Sequence, residues 1–286
     1  MDFLQPSSWD EALAIRAERP DALPLAGGTD VMVDLNFDRR RPPALLDLTR
    51  IGELREWSVQ DGAVRLGAGV PYARVITELG DRLPGLAMAS RTVGSPQIRV
   101  RGTVGGNLGS ASPAGDAHPP LLAAGAVVEV ASAARGTRRV PVAEFFTGVK
   151  RNALAPDELI AAVHVPTAAG PQQFCKVGTR NAMVISVSAF ALALHPDRQA
   201  VGTGIGSAAP TPRRAPEAED FLAGELDWAG RTPLSGSLAR AFGERVAAAA
   251  SPIDDVRGSA AYRLHSLSVM ARRAATWAWN DYRKAA

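Results

Sequence analysis

Apolar positions along this chain change their spacing repeatedly, and each change marks an element. Ala12, Leu13 and Ile15 recur at helical spacing behind Ser8-Trp9-Asp10-Glu11, a hydroxyl followed three residues later by a glutamate. That pattern predicts a capped amphipathic first helix. Residues 23–26 and 44–48 are short apolar runs that predict strands. Between them, residues 31–35 fit a helix or a strand, and residues 51–54 close a small α/β unit over 1–54. Asp61-Gly62, flanked by Trp57-Ser58-Val59 and Val64-Arg65-Leu66, predicts a hairpin. It opens a larger unit over 55–168, with a helix starting at Pro71 and continuing through Val75, Ile76 and Leu79. A second helix is expected over 83–92. Pro119-Pro120-Leu121-Leu122 then leads into a strand over 126–130.

Residues 167–171, Thr-Ala-Ala-Gly-Pro, read as a linker into a last unit over 172–286. There, residues 183–192 predict one continuous strand. Residues 201–210 alternate glycine with β-branched and small residues, which suits a strand and turn better than a second cofactor loop. Helices are expected over 238–249 and 259–279, with Leu264, Leu267, Val269 and Met270 as core positions. The last unit is therefore α+β, an antiparallel sheet with helices on one side.

Composition narrows the class. Hydrophobic residues make up 46% of 286, enough for two or three domains with true cores. A formal charge of +3, with arginine pairs scattered and no basic stripe interleaved with aromatics, argues against a nucleic-acid partner. Cys175 is the only cysteine, which excludes an internal disulfide and the thiolate set of an iron–sulfur cluster. Neither a secretory signal nor a run long enough to span a membrane is visible, so a cytoplasmic protein is expected. The four histidines lack ligand spacing, and His118 reads as a structural residue. No nucleophile elbow or triad is present.

The chemistry concentrates in Arg101-Gly-Thr-Val-Gly-Gly-Asn-Leu-Gly-Ser-Ala-Ser-Pro-Ala-Gly-Asp116, which holds five glycines and four small hydroxyl or amide side chains. Glycine admits a ligand close to the main chain, and backbone so opened presents N–H groups to an anion. Hydroxyls, an amide and the carboxylate of Asp116 add partners for a polyol. Such a ligand is a nucleotide cofactor. A second loop, Leu25-Ala26-Gly27-Gly28-Thr29-Asp30, adds a glycine pair after a strand, although alone it reads as a tight turn. Neither loop has P-loop or Rossmann spacing.

Together, LAGGTD and the downstream TVGGNLGSASPAGD resemble the FAD-binding medium subunit of the molybdenum hydroxylases, the carbon monoxide dehydrogenase and xanthine dehydrogenase family. Glu158-Leu159-Ile160, Phe174-Cys175-Lys176-Val177-Gly178 and the near-terminal run DDVRGSAAYR (254–263) extend the resemblance over nearly the whole chain. It implies an α+β fold: a PCMH-type (vanillyl-alcohol-oxidase-like) FAD domain of two α/β subdomains, 1–54 and 55–168, and a C-terminal α+β domain. By the same resemblance, Leu25, Ala26, Gly27, Gly28, Thr29 and Asp30 hold one side of the FAD diphosphate. Thr103, Val104, Gly105, Gly106 and Asn107 line the other. Asp116 accepts from sugar hydroxyls, Val93 and Ile160 pack on the isoalloxazine, and Lys176 lies near the ring, where a cation stabilises reduced flavin.

The implied assembly joins this chain to a molybdopterin large subunit and a [2Fe–2S] small subunit, as a dimer of heterotrimers. Its electron acceptor would be NAD, a quinone or oxygen. One stretch departs from the family: Thr179-Arg180-Asn181-Ala182-Met183 stands where many relatives carry arginine followed by Asp-Ile-Ala, which leaves open how the ring edge is covered. Two other readings are a self-sufficient FAD oxidoreductase acting on a small substrate, and a scaffold that has lost the cofactor. The intact glycines oppose the latter.

Overall fold

A computed structural model describes residues 1–285. The chain opens with strand Asp2–Leu4 and helix Trp9–Glu18. Ser8 caps that helix by accepting from the Glu11 amide at 3.2 Å, but Glu11 returns its carboxylate to Ser7 N (2.7 Å) rather than to Ser8. Strands Asp2–Leu4, Ala44–Asp47 and Leu23–Leu25 form a three-stranded parallel sheet. Residues 31–36, ambiguous by pattern, are a helix (Val31–Asn36), and Gly52–Arg55 is a short 3-10 turn.

The hairpin at Asp61-Gly62 joins Trp57–Gln60 to Ala63–Gly67. Both turn residues have positive φ (50° and 73°), the geometry whose twist matches the flanking strands. This hairpin forms one edge of a five-stranded antiparallel sheet completed by Leu159–Pro166, Val127–Ser132 and Gly136–Pro141. Helices Tyr72–Glu78, Pro84–Thr92 and His118–Ala124 pack around it. Pro71 sits at the cap position, one residue ahead of the first helical position expected from sequence. One large core, from Ala12 to Val165, fills the space between these layers.

After residue 171, strands Gln172–Val177, Ser188–His195 and Ala200–Gly206 make an antiparallel sheet. Helices Pro216–Glu225, Gly236–Ala248 and Ala260–Lys284 bury a second core against it, including Phe190, Phe242, Leu267 and Trp279. The two bodies meet backbone to backbone. A Cβ on Gly202 or Gly204 would stand 2.0 Å from the carbonyl oxygens of Ala123 or Pro119 on helix His118–Ala124.

Three expectations are corrected. Residues 104–110, read as part of an open loop, are a helix (Val104–Ser110). Residues 118–124, expected only to lead into a strand, are also helical. The strand expected over 183–192 begins at Ser188; residues 183–187 lie outside the ladder, with Met183 at φ 51° and Met183 and Ile185 exposed. Residues 183–185 cross the surface because strand Gln172–Val177 ends before they can pair with it, whereas Ser186 and Val187 are buried and the Val187 amide donates to the Val177 carbonyl at 2.7 Å.

Candidate functional site

The two glycine runs come together through contacts only glycine allows. A Cβ on Gly27 would lie 1.9 Å from the Arg101 carbonyl oxygen, so the first loop rests directly on the backbone leading into the second. A Cβ on Gly105 would meet Ala68 at 2.5 Å, whereas one on Gly106 would meet Ala26 Cβ only at 3.7 Å. Gly28, at φ 77°, turns the chain into helix Val31–Asn36. Thr103 caps helix Val104–Ser110, its hydroxyl accepting from Gly106 N at 2.9 Å. The amides of Val104 and Gly105, in the first turn, have no acceptor inside the helix. Asp30 stands at the cap position of the other helix, but its exposed side chain makes no capping bond.

Asp116 is neither a cap nor a surface loop carboxylate. Its Oδ2 accepts from Lys176 Nζ at 2.6 Å and from Thr92 Oγ1 at 3.4 Å, and the two charged side chains are 9% and 8% exposed. Lys176 also donates to the Thr92 carbonyl at 3.3 Å. Burial pushes the Asp116 carboxyl above its ordinary range, against the pull of the ammonium. Lys176 therefore brings its charge to the seam already partnered, which removes the reading of a solvated strand lysine.

Beside the pair opens a cavity of about 430 Å³ whose lining includes Arg91, Thr92, Arg99, Lys176, Arg180 and Met183, and no carboxylate. Arg99 is fixed over the carbonyls of Arg91, Val93 and Gly94 at 3.1–3.2 Å, whereas the Val93 side chain is not part of the cavity lining and packs half-buried against the first core. Ile160 is buried beside the far end of helix Val104–Ser110, its Cδ1 3.8 Å from where a Gly109 Cβ would be. Nearby Glu158 is held by Arg138 at 2.6 and 2.7 Å and by the Ala155 amide.

Seven buried side-chain polar atoms among the described residues lack a partner, and four line this region: Tyr72 Oη, Asn107 Oδ1, Asp116 Oδ1 and His118 Nδ1. Tyr72, which the sequence did not single out, packs under the contact of the two loops, near Gly102 and Thr29. Burial raises its phenol well above the ordinary value, and the carboxylates of Asp116 and Asp30 add to the effect. His118 bonds the Asn107 carbonyl at 3.2 Å through Nε2, and burial lowers it to about 4, so it is neutral. Unpaired donors and acceptors beside a glycine cradle fit a ligand with hydroxyls and an anionic diphosphate, the composition of the FAD chain.

Comparison with known proteins agrees with this chemistry. Residues 1–168 match the family described as FAD binding domain in molybdopterin dehydrogenase, and residues 173–278 the CO dehydrogenase flavoprotein C-terminal domain. The chain is 32% identical over 273 residues to the putative xanthine dehydrogenase FAD-binding subunit of Escherichia coli K12, covering 92% of this chain and 90% of that one. Carbon monoxide dehydrogenase from Hydrogenophaga pseudoflava superposes with a TM-score of 0.89 at 27% identity, over 99% of this chain and 98% of the other. Quinoline 2-oxidoreductase from Pseudomonas putida 86 gives 0.90 at 26% identity, with coverage of 99% and 98%. The chain belongs to the FAD-binding medium subunits of the molybdopterin dehydrogenases, an oxidoreductase family, and its cofactor is FAD.

Proposed function

We propose that this chain is the flavin relay of a multi-subunit molybdenum hydroxylase. It receives electrons from iron–sulfur clusters on a small partner subunit and passes them through FAD to an external acceptor: NAD, a quinone or oxygen. The substrate is oxidised at a molybdopterin on a large subunit, and the assembly is a dimer of heterotrimers in the cytoplasm. The observation that carries this reading is the packing of two glycine loops backbone on backbone beside a buried Lys176–Asp116 pair. One free cysteine gives these 286 residues no thiolate set for a cluster of their own, which supports a donor centre outside them.

Bound FAD supplies the one- and two-electron chemistry. The residues bind and orient. Ala26, Gly27, Gly28 and Thr29 on one side and Thr103 to Asn107 on the other take the diphosphate, with Leu25 and Asp30 flanking the first loop. Asp116, whose Oδ1 is without a protein partner, would accept from a sugar hydroxyl. Val93 and Ile160 would bound the ring, and Lys176 would set the charge beside it. The alternative, a self-sufficient oxidoreductase acting at the flavin, needs a small substrate to enter the cavity of about 430 Å³ without a partner.

Two measurements test the proposal. The first is the visible spectrum of the chain expressed alone, with identification of any released flavin. The second is copurification with the products of neighbouring genes. FAD bands together with a molybdenum and an iron–sulfur partner are expected. A chain that binds FAD and turns over a substrate without partners supports the alternative. A chain that never takes up FAD, alone or assembled, overturns the site assignment.

A further inference from the structure

The run Asp254-Asp255-Val256-Arg257-Gly258-Ser259 and the helix it starts, Ala260–Lys284, hold a buried cation that the flavin site does not itself contain. Two residues of the run cap the helix: Ser259 accepts from Tyr262 N at 3.2 Å and Asp254 from Ala260 N at 2.5 Å. Asp255 and Gly258 close a tight turn against Val187, whose Cγ1 stands 3.0 Å from where a Gly258 Cβ would be. This places Arg263, 4% exposed, in the second turn of the helix. Its guanidinium donates to three acceptors: the Val187 carbonyl (2.5 Å), the Ser207 carbonyl (2.7 Å) and Asp255 Oδ1 (2.6 Å).

Each backbone acceptor leads to one half of the Lys176–Asp116 pair. Val187 donates its amide to the Val177 carbonyl at 2.7 Å, fixing the end of the strand on which Lys176 lies. Ser207 donates its amide to the Pro113 carbonyl at 2.8 Å, on the segment that carries Asp116. Ser186 joins the two branches, bonding Ser207 Oγ at 2.8 Å and the Ala114 carbonyl at 3.5 Å. One turn further along the helix, Ser266 bonds Ser188 at 2.6 Å, at the start of strand Ser188–His195, which pairs with Val177. A forked guanidinium suits this task, because its donors hold fixed mutual directions that an ammonium lacks.

We propose that Arg263 is a positioning residue that seats Lys176 on Asp116 and so fixes the charge facing the flavin ring. It does not line the cavity beside Lys176 and acts through Val187 and Ser207. The cavity wall 178–184 leaves the strand between the two points it controls, Val177 and Val187. The inference rests on the reading that the FAD ring lies against Lys176.

The test is a double-mutant cycle on the full chain loaded with FAD, read as the ratio of reduced to oxidised flavin at a fixed poise. Arg263→Met and Lys176→Met are each expected to change that ratio about threefold or more, read on the FAD-loaded fraction of each protein. Arg263→Met made in the Lys176→Met background is expected to add nothing, because coupled residues are non-additive. Arg263→Lys is expected to restore the ratio only in part. If Arg263→Met does not fold, Arg263→Lys takes its place in the cycle, since it keeps the charge and loses the fork that holds both carbonyls. Additive effects, or an unchanged ratio in the arginine variant, overturn the inference. An unchanged ratio in Lys176→Met overturns the ring placement instead.

Discussion

Lys176 and Asp116 lie 60 positions apart in sequence, in the two bodies of the fold, and meet at 2.6 Å with almost no exposure. A buried pair is costly to break from one side, since the survivor keeps its desolvation penalty without its counter-charge. Lys176→Met is expected to cost roughly 3 kcal/mol of stability and Lys176→Met/Asp116→Asn distinctly less. Chemical denaturation of the three proteins at pH 7 measures this. Equal losses in the single and double variants would show that the pair contributes packing alone.

The glycines of the two loops predict different failures. Gly27→Ala drives a Cβ into the Arg101 carbonyl at 1.9 Å, so stability should fall by about 1–3 kcal/mol and flavin should be lost with it. At Gly106 the nearest contacts are Thr103 Oγ1 at 3.1 Å and Ala26 Cβ at 3.7 Å. Gly106→Val should therefore deplete FAD while the thermal midpoint of the flavin-free chain changes little. Flavin absorbance per protein, set beside that midpoint, separates the two.

His118 makes acid stability specific. Its folded value near 4 lies below the ordinary 6.5, because burial disfavours the imidazolium. The stability it contributes is complete above pH 6.5 and drains as pH falls toward 4, where the unfolded chain binds a proton the folded chain does not. The loss is on the order of 3 kcal/mol. His118→Gln should flatten the stability profile between those limits; an unchanged slope would locate the titration elsewhere.

Burial raises the Cys175 thiol to about 11, from an ordinary value of 9.0. Alkylation by iodoacetamide at pH 8 should run roughly 100-fold slower in the native chain than in the denatured one. Comparable rates would mean that the strand carrying Cys175 opens readily.

The local parts of this architecture were legible in sequence. The cap at Ser8, the Asp61-Gly62 hairpin, the strand after Ala200 and the two glycine runs each carry their signal in a few adjacent residues. Helix Val104–Ser110 was hidden because its glycines look like loop, and only Thr103 at its cap betrays it. The crossing at 183–186 misled for the opposite reason: apolar and β-branched residues pointed to a strand that pairs only from Val187 onward. Tyr72, Thr92 and Arg263 could not be found by spacing, since their roles come from meetings with residues dozens of positions away.

The close approach of Gly202 and Gly204 to the carbonyls of Ala123 and Pro119 has a kinetic consequence. Backbones interlocked without intervening side chains leave no layer at that contact along which the two bodies can slide, so a flavin held at the seam, as proposed, would have no hinge there by which to open. Release and uptake would then go through loosening of the Gly27 loop and of the Gly102–Thr103 segment that leads into helix Val104–Ser110. We therefore expect the exchange half-time of FAD to track local hydrogen-exchange protection in those loops, and the cofactor to be acquired most readily while the chain is still folding.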